Sequence, residues 1–92
     1  MTETTLRRLK IVNEKGLHAR ASAKLVEVVE AFDAHAEVLK DGMSASGDSI
    51  MGLLMLAASK GSTIDVQTSG PDAEALADAL EALVADRFGE DN

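Results

Sequence analysis

The sequence predicts an α+β fold in the order β-α-β-β-α-β-α, with three one-sided helices packed on one face of a four-stranded sheet. Three observations predict it. Apolar residues change along the chain from alternation to helical spacing and back. Asp41-Gly42 joins two alternating segments through a dipeptide suited to the positive backbone angles of a tight hairpin, which makes the sheet at least partly antiparallel. Polar and glycine-containing clusters bound the periodic segments. At 92 residues, one compact domain spanning 1–92 is expected, with its core from about 5 to 87.

Thr5 to Val12 is short, aliphatic and β-branched, with Leu9 and Ile11 on one side and Arg8 and Lys10 on the other, and reads as the first strand. Asn13 to Gly16 is a polar loop. Beyond it Ala21, Leu25, Val28, Val29 and Phe32 recur at helical spacing, so a helix starts near His18 or Ala19 with Lys24, Glu27 and Glu30 outward. Ala34 to Lys40 and a weaker run from Met43 to Ser46 form the hairpin, the second run weakened by Gly47. Ser49 caps a short apolar helix from Ile50 to Leu56, and Lys60-Gly61 supplies its end signal. Ile64 and Val66 belong to a fourth strand that stops at Ser69-Gly70-Pro71. The last helix, capped by Asp72 or Ser69, carries the stripe Ala73, Leu76, Leu80, Leu83 and Val84, extended by Phe88, and Gly89 to Asn92 is expected to fray.

Composition narrows the function. The chain has no cysteine, which excludes disulfides and thiolate metal sites and fits an intracellular setting. Met1 to Lys10 carries charges and threonines where a signal peptide would be apolar, and no apolar run reaches the length of a membrane span. A soluble, unprocessed cytoplasmic protein is expected, with no membrane partner. The net charge of −7 opposes binding to nucleic acid, and the basic run Arg7, Arg8 and Lys10, with no stacking aromatic beside it, reads as the solvated side of a strand.

Gly16-Leu17-His18-Ala19-Arg20 places an imidazole at the junction of a loop and a helix start. Unpaired N–H groups and the positive end of the helix dipole suit a phosphoryl group held there, and Arg20 adds a planar cationic donor. A neutral imidazole is itself nucleophilic, so His18 could accept such a group without a separate base. Taken alone, these five residues favour a histidine that merely caps the helix. After Ser49, the residues Ile50, Met51, Leu53, Leu54, Met55 and Leu56 leave almost no polar face, which suits either an adaptable docking surface or burial on both sides. Ser49 reads first as an N-cap, a position that would also tolerate a phosphate. His35 reads as a surface strand residue. No metal ligand set and no cofactor-binding motif are expected.

Together Gly16-Leu17-His18-Ala19-Arg20, Asp48-Ser49-Ile50-Met51-Gly52 and the following Lys60-Gly61 resemble the HPr family, the histidine phosphocarriers of the bacterial phosphoenolpyruvate-dependent phosphotransferase system (PTS), from Thr5 to Arg87. The resemblance implies an open-faced β-sandwich, a four-stranded antiparallel sheet covered by three helices. It implies a carrier, not an enzyme: phosphorylated enzyme I loads His18 on Nδ1, Arg20 steadies the phosphoryl group, and a histidine of an EIIA-type protein receives it. Ala19, Ile50, Met51 and Leu54 would form the docking surface, Ser49 would be the target of HPr kinase/phosphorylase, and a monomer is expected.

Three features depart from the family pattern, one of them the Gly47 that weakens the third strand next to Ser49. Ala21 stands where many relatives have proline, a residue favoured in a first helical turn. Glu27 and Glu30 beside Lys24 replace the usual lysines and suggest the nitrogen-related or regulatory branch with differently charged partners. Two other readings compete: a regulatory module that carries no phosphate, and an enzyme using His18 as general base. Retention of both His18 and Arg20 argues against the first, and the lack of a nameable second acid against the second.

Overall fold

The computed structural model describes residues 4–92, so the first three residues of the charged Met1–Lys10 stretch lie outside it. The elements are β1 (Thr4–Lys10), α1 (Ala19–Glu30), β2 (His35–Lys40), β3 (Met43–Ser46), α2 (Ile50–Met55), β4 (Thr63–Ser69) and α3 (Ala73–Ala85), followed by a 3₁₀ turn at Arg87–Gly89. The expected order holds. The sheet runs β1-β4-β2-β3 with every neighbouring pair antiparallel.

Alternation along the strands sets the two faces of the sheet. Leu9, Ala36, Val38, Ala45, Ile64 and Val66 point inward and are buried, with Val66 opposite Val38 and Ile64 opposite Leu9. Helices α1 and α3 cover this face with Ala21, Leu25, Val26 and Val29 from one and Leu76, Leu80 and Val84 from the other. Helix α2 lies beside α1 and β3. No helix among the described residues is long and apolar enough to cross a membrane.

Several local expectations are corrected. The basic run does not lie on one solvated side: Arg8 pairs across the sheet with Asp65 at 3.0 Å, whereas Arg7, one residue earlier, faces α3 and reaches Asp78 at 2.9 Å and Glu81 at 2.7 Å. Strand alternation splits the cluster.

Helix α2 ends at Met55, well before Lys60-Gly61, because Ala57 takes a positive φ of 53° that breaks the helical path. Gly61 instead serves the approach to β4, its N–H donating to the Ile11 carbonyl at 2.7 Å. Gly47 follows the end of β3 and is a close-approach residue, since a Cβ there would lie 2.8 Å from that of Ala36. Asp72 stands at the α3 N-cap position, but its carboxylate accepts from the Asp33 N–H instead of capping the helix.

The largest correction concerns the segment after α3. Phe88 is not in the helical stripe. Arg87 and Phe88 both take φ of 55°, which turns the chain back and drives the Phe88 ring into the core, fully buried. The following residues turn back along the domain: the Lys24 ammonium donates to the Phe88 carbonyl at 2.6 Å, and the Glu14 N–H donates to the Asn92 carbonyl at 2.9 Å. Residues 89–92 are thereby laid against the loop before α1.

Candidate functional site at the start of α1

The loop from Asn13 to Leu17 is fixed by its contacts with the segment before β4. Gly16 has a φ of +66°, and a Cβ there would lie 2.4 Å from the Ala58 carbonyl oxygen, so both backbone angle and space require glycine. The Leu17 N–H donates to that same carbonyl at 2.8 Å, and the Leu17 side chain is buried. Asn13, fully buried, closes the loop from inside by donating its amide to the Gly16 carbonyl at 2.8 Å.

His18 leaves this fixed loop at the N-cap position of α1 in an extended conformation. Its carbonyl accepts the Ser22 N–H at 2.8 Å, the bond that starts the helix, but its side chain makes no capping bond. The plain capping reading is therefore overturned. The ring points away, about a quarter exposed, and the first N–H groups of the helix have no intrahelical acceptor.

The ring goes instead to Glu90, whose carboxylate Oε2 pairs with Nε2 of His18. The other carboxylate oxygen, Oε1, accepts from the Asn13 amide at 3.0 Å. These hydrogen bonds, from Asn13 first and then from His18, hold the Glu90 carboxyl below its ordinary value of 4.5, against the opposing effect of burial. Arg20, exposed and in none of the ion pairs among the described residues, lines the same depression as His18, Ala19, Lys15, Lys24 and Glu90. The arrangement offers one nucleophilic ring, one unpaired guanidinium and an open helix start.

Over residues 6–86 the chain matches the family model described as the PTS HPr component phosphorylation site. The chain belongs to the HPr family. The HPr of Cupriavidus necator is 49% identical over 80 residues, covering 87% of this chain and 90% of the relative. The NPr of Shewanella violacea is 43% identical over 84 residues, 91% and 92% of the two chains. A solved HPr structure from Thermoanaerobacter tengcongensis matches with a TM-score of 0.91 at 33% identity, covering 96% of this chain and 99% of that one. Both protein relatives bear the name phosphocarrier protein, so this HPr-family chain is similar to carriers of either designation.

On the other side of His18, a second shallow depression is lined by Lys15, Leu17, His18, Leu54 and Ala57. It leads onto α2, where Leu53 and Leu56 are buried while Ile50, Met51 and Met55 are 40%, 70% and 76% exposed. Burial on both sides is thus excluded for α2. Ser49 caps it, its hydroxyl accepting the Gly52 N–H at 3.0 Å, and Ser49 lines neither depression at His18.

His35 is exposed on the outer face of the sheet, and the twelve residues of α1, about 18 Å of helix, lie between the two histidines in sequence. Among the described residues no group of His, Asp and Glu could hold a metal ion.

Sequence reasoning missed Asn13 and Glu90. Phe88-Gly89 was the available signal: an isolated aromatic followed by glycine just past a helix can anchor a returning segment.

Proposed function

We propose that this HPr-family chain, a single HPr-like domain, accepts a phosphoryl group from phosphorylated enzyme I on His18 and transfers it to a histidine of an EIIA-type protein. The observation that carries this reading is the start of α1, where the N-cap side chain does not cap. An imidazole available for bonding stands beside unpaired backbone N–H groups and the positive end of a helix dipole, the surroundings a phosphoryl group needs. Arg20, exposed at the same depression, supplies the positive charge.

Loading forms a bond between a ring nitrogen and phosphorus as the donor leaves, and unloading breaks that bond as the acceptor's imidazole attacks. Ala19, Ile50, Met51 and Leu54 are proposed as the docking surface, since exposed methionines can adapt to more than one partner. The carrier acts as a cytoplasmic monomer.

Incubation with enzyme I and phosphoenolpyruvate should give one acid-labile, alkali-stable phosphate, absent in His18→Ala. Label that persists in His18→Ala rejects the assignment. HPr kinase/phosphorylase with ATP is expected to modify Ser49, whose new charge slows loading by repulsion at the docking surface. Equal loading rates for the wild type and Ser49→Asp would count against that regulation.

A further inference from the structure

We infer that Glu90 is a positioning residue for phosphoryl transfer, keeping the proton of His18 on Nε2 so that Nδ1 presents the lone pair. The inference rests on the carrier reading of His18 and adds a residue from the opposite end of the chain. A neutral imidazole has one N–H and one lone pair, whereas an ionised carboxylate only accepts. With Glu90 Oε2 against Nε2, the proton belongs on Nε2 and Nδ1 becomes the nucleophile.

Glu90 is not placed there by chance contact of a loose end. Its second carboxylate oxygen is held by Asn13, which is itself fully buried and tied to Gly16. Phe88, two residues earlier, is fully buried, and its carbonyl accepts from Lys24. Two residues later the Asn92 carbonyl accepts the Glu14 N–H. Contacts from the first loop and from α1 therefore bracket Glu90 on both sides.

The charge balance favours the same role. In the loading step the Nδ1 lone pair forms the bond to phosphorus, the bonding pair to the donor leaves with the donor, and the proton stays on Nε2. The ring passes from neutral to cationic, next to a carboxylate already in place. The logic is that of the carboxylate that orients and stabilises the histidine in a serine protease triad. Lys15 of the loop and Arg20 and Lys24 of α1 lie around the same depression, with Glu14 and Asp91 as its other charged members.

Imidazole nitrogen spectra of the ¹⁵N-labelled full chain at about pH 8.5, where an ordinary imidazole is neutral, test this directly. The wild type should show Nε2–H as the dominant tautomer, Glu90→Ala an increased Nδ1–H population, and Glu90→Gln, which retains an acceptor oxygen, the wild-type pattern. Loading by enzyme I should slow about fivefold in Glu90→Ala through kcat with KM unchanged, and less in Glu90→Gln. An unchanged tautomer ratio in Glu90→Ala overturns the inference, as does a changed ratio with unchanged loading. If the wild type takes no phosphate, the carrier reading fails, while the nitrogen spectra still decide whether Glu90 sets the tautomer.

Discussion

Helices α1 and α2 begin in the same way along the backbone and differently in their side chains. Both N-cap residues are extended, but the Ser49 hydroxyl accepts the Gly52 N–H, whereas the His18 ring turns away to Glu90. The start of α2 is closed by its own residue. The start of α1 is left open because the residue that could occupy it is held by a carboxylate more than seventy positions away. A helix N-terminus becomes available to an anion when its N-cap side chain is engaged elsewhere.

The most severe way to remove this contrast is His18→Ser, which gives α1 the kind of cap that α2 has. Loading should be abolished, while stability to thermal unfolding should exceed that of His18→Ala by about 1 kcal/mol. Failure of the serine to stabilise relative to alanine would mean that the start of α1 is already satisfied.

Phe88→Ala attacks the anchor that carries Glu90. Loss of a fully buried aromatic should cost about 3–5 kcal/mol in denaturant unfolding. Amide exchange at residues 89–92 should accelerate at the same time. Protected amides there would show that Lys24 and Asn13 hold the segment without Phe88.

Ser49→Ala removes the closed cap of α2 and should cost about 1 kcal/mol, with loading of His18 unchanged because no contact of Ser49 reaches that site. A large loss of loading would tie the two helix starts together.

The smallest effect is in pH. Because folding lowers the pKa of Glu90, its contribution to stability is fully present above its ordinary value of 4.5 and is lost as pH falls through the lower folded-state value. The difference in unfolding midpoint between the wild type and Glu90→Gln should therefore shrink in that acid range. A difference independent of pH would assign the effect to packing.

The element order, the hairpin at Asp41-Gly42 and the buried alternation in β1 and β4 were legible because each depends on near neighbours in sequence. His18 and Arg20 were legible as a motif at a helix start. Partner choice was not legible: Lys24, read from spacing as an outward charge, spends its ammonium on the Phe88 carbonyl, and Arg7, read as one of a basic run, is turned by strand alternation onto α3.

By itself the sequence determined which segments are strands and helices, where the imidazole stands on the backbone, and that the helix after Ser49 has little polar surface. Only the tertiary structure decided what the imidazole does with its ring. Two successive left-handed residues turn Phe88 into the core and bring Glu90 onto Nε2, a contact between residues 72 apart in sequence. Local periodicity has no term for such a pairing; it follows from the burial of one aromatic ring and the direction in which the chain must leave it.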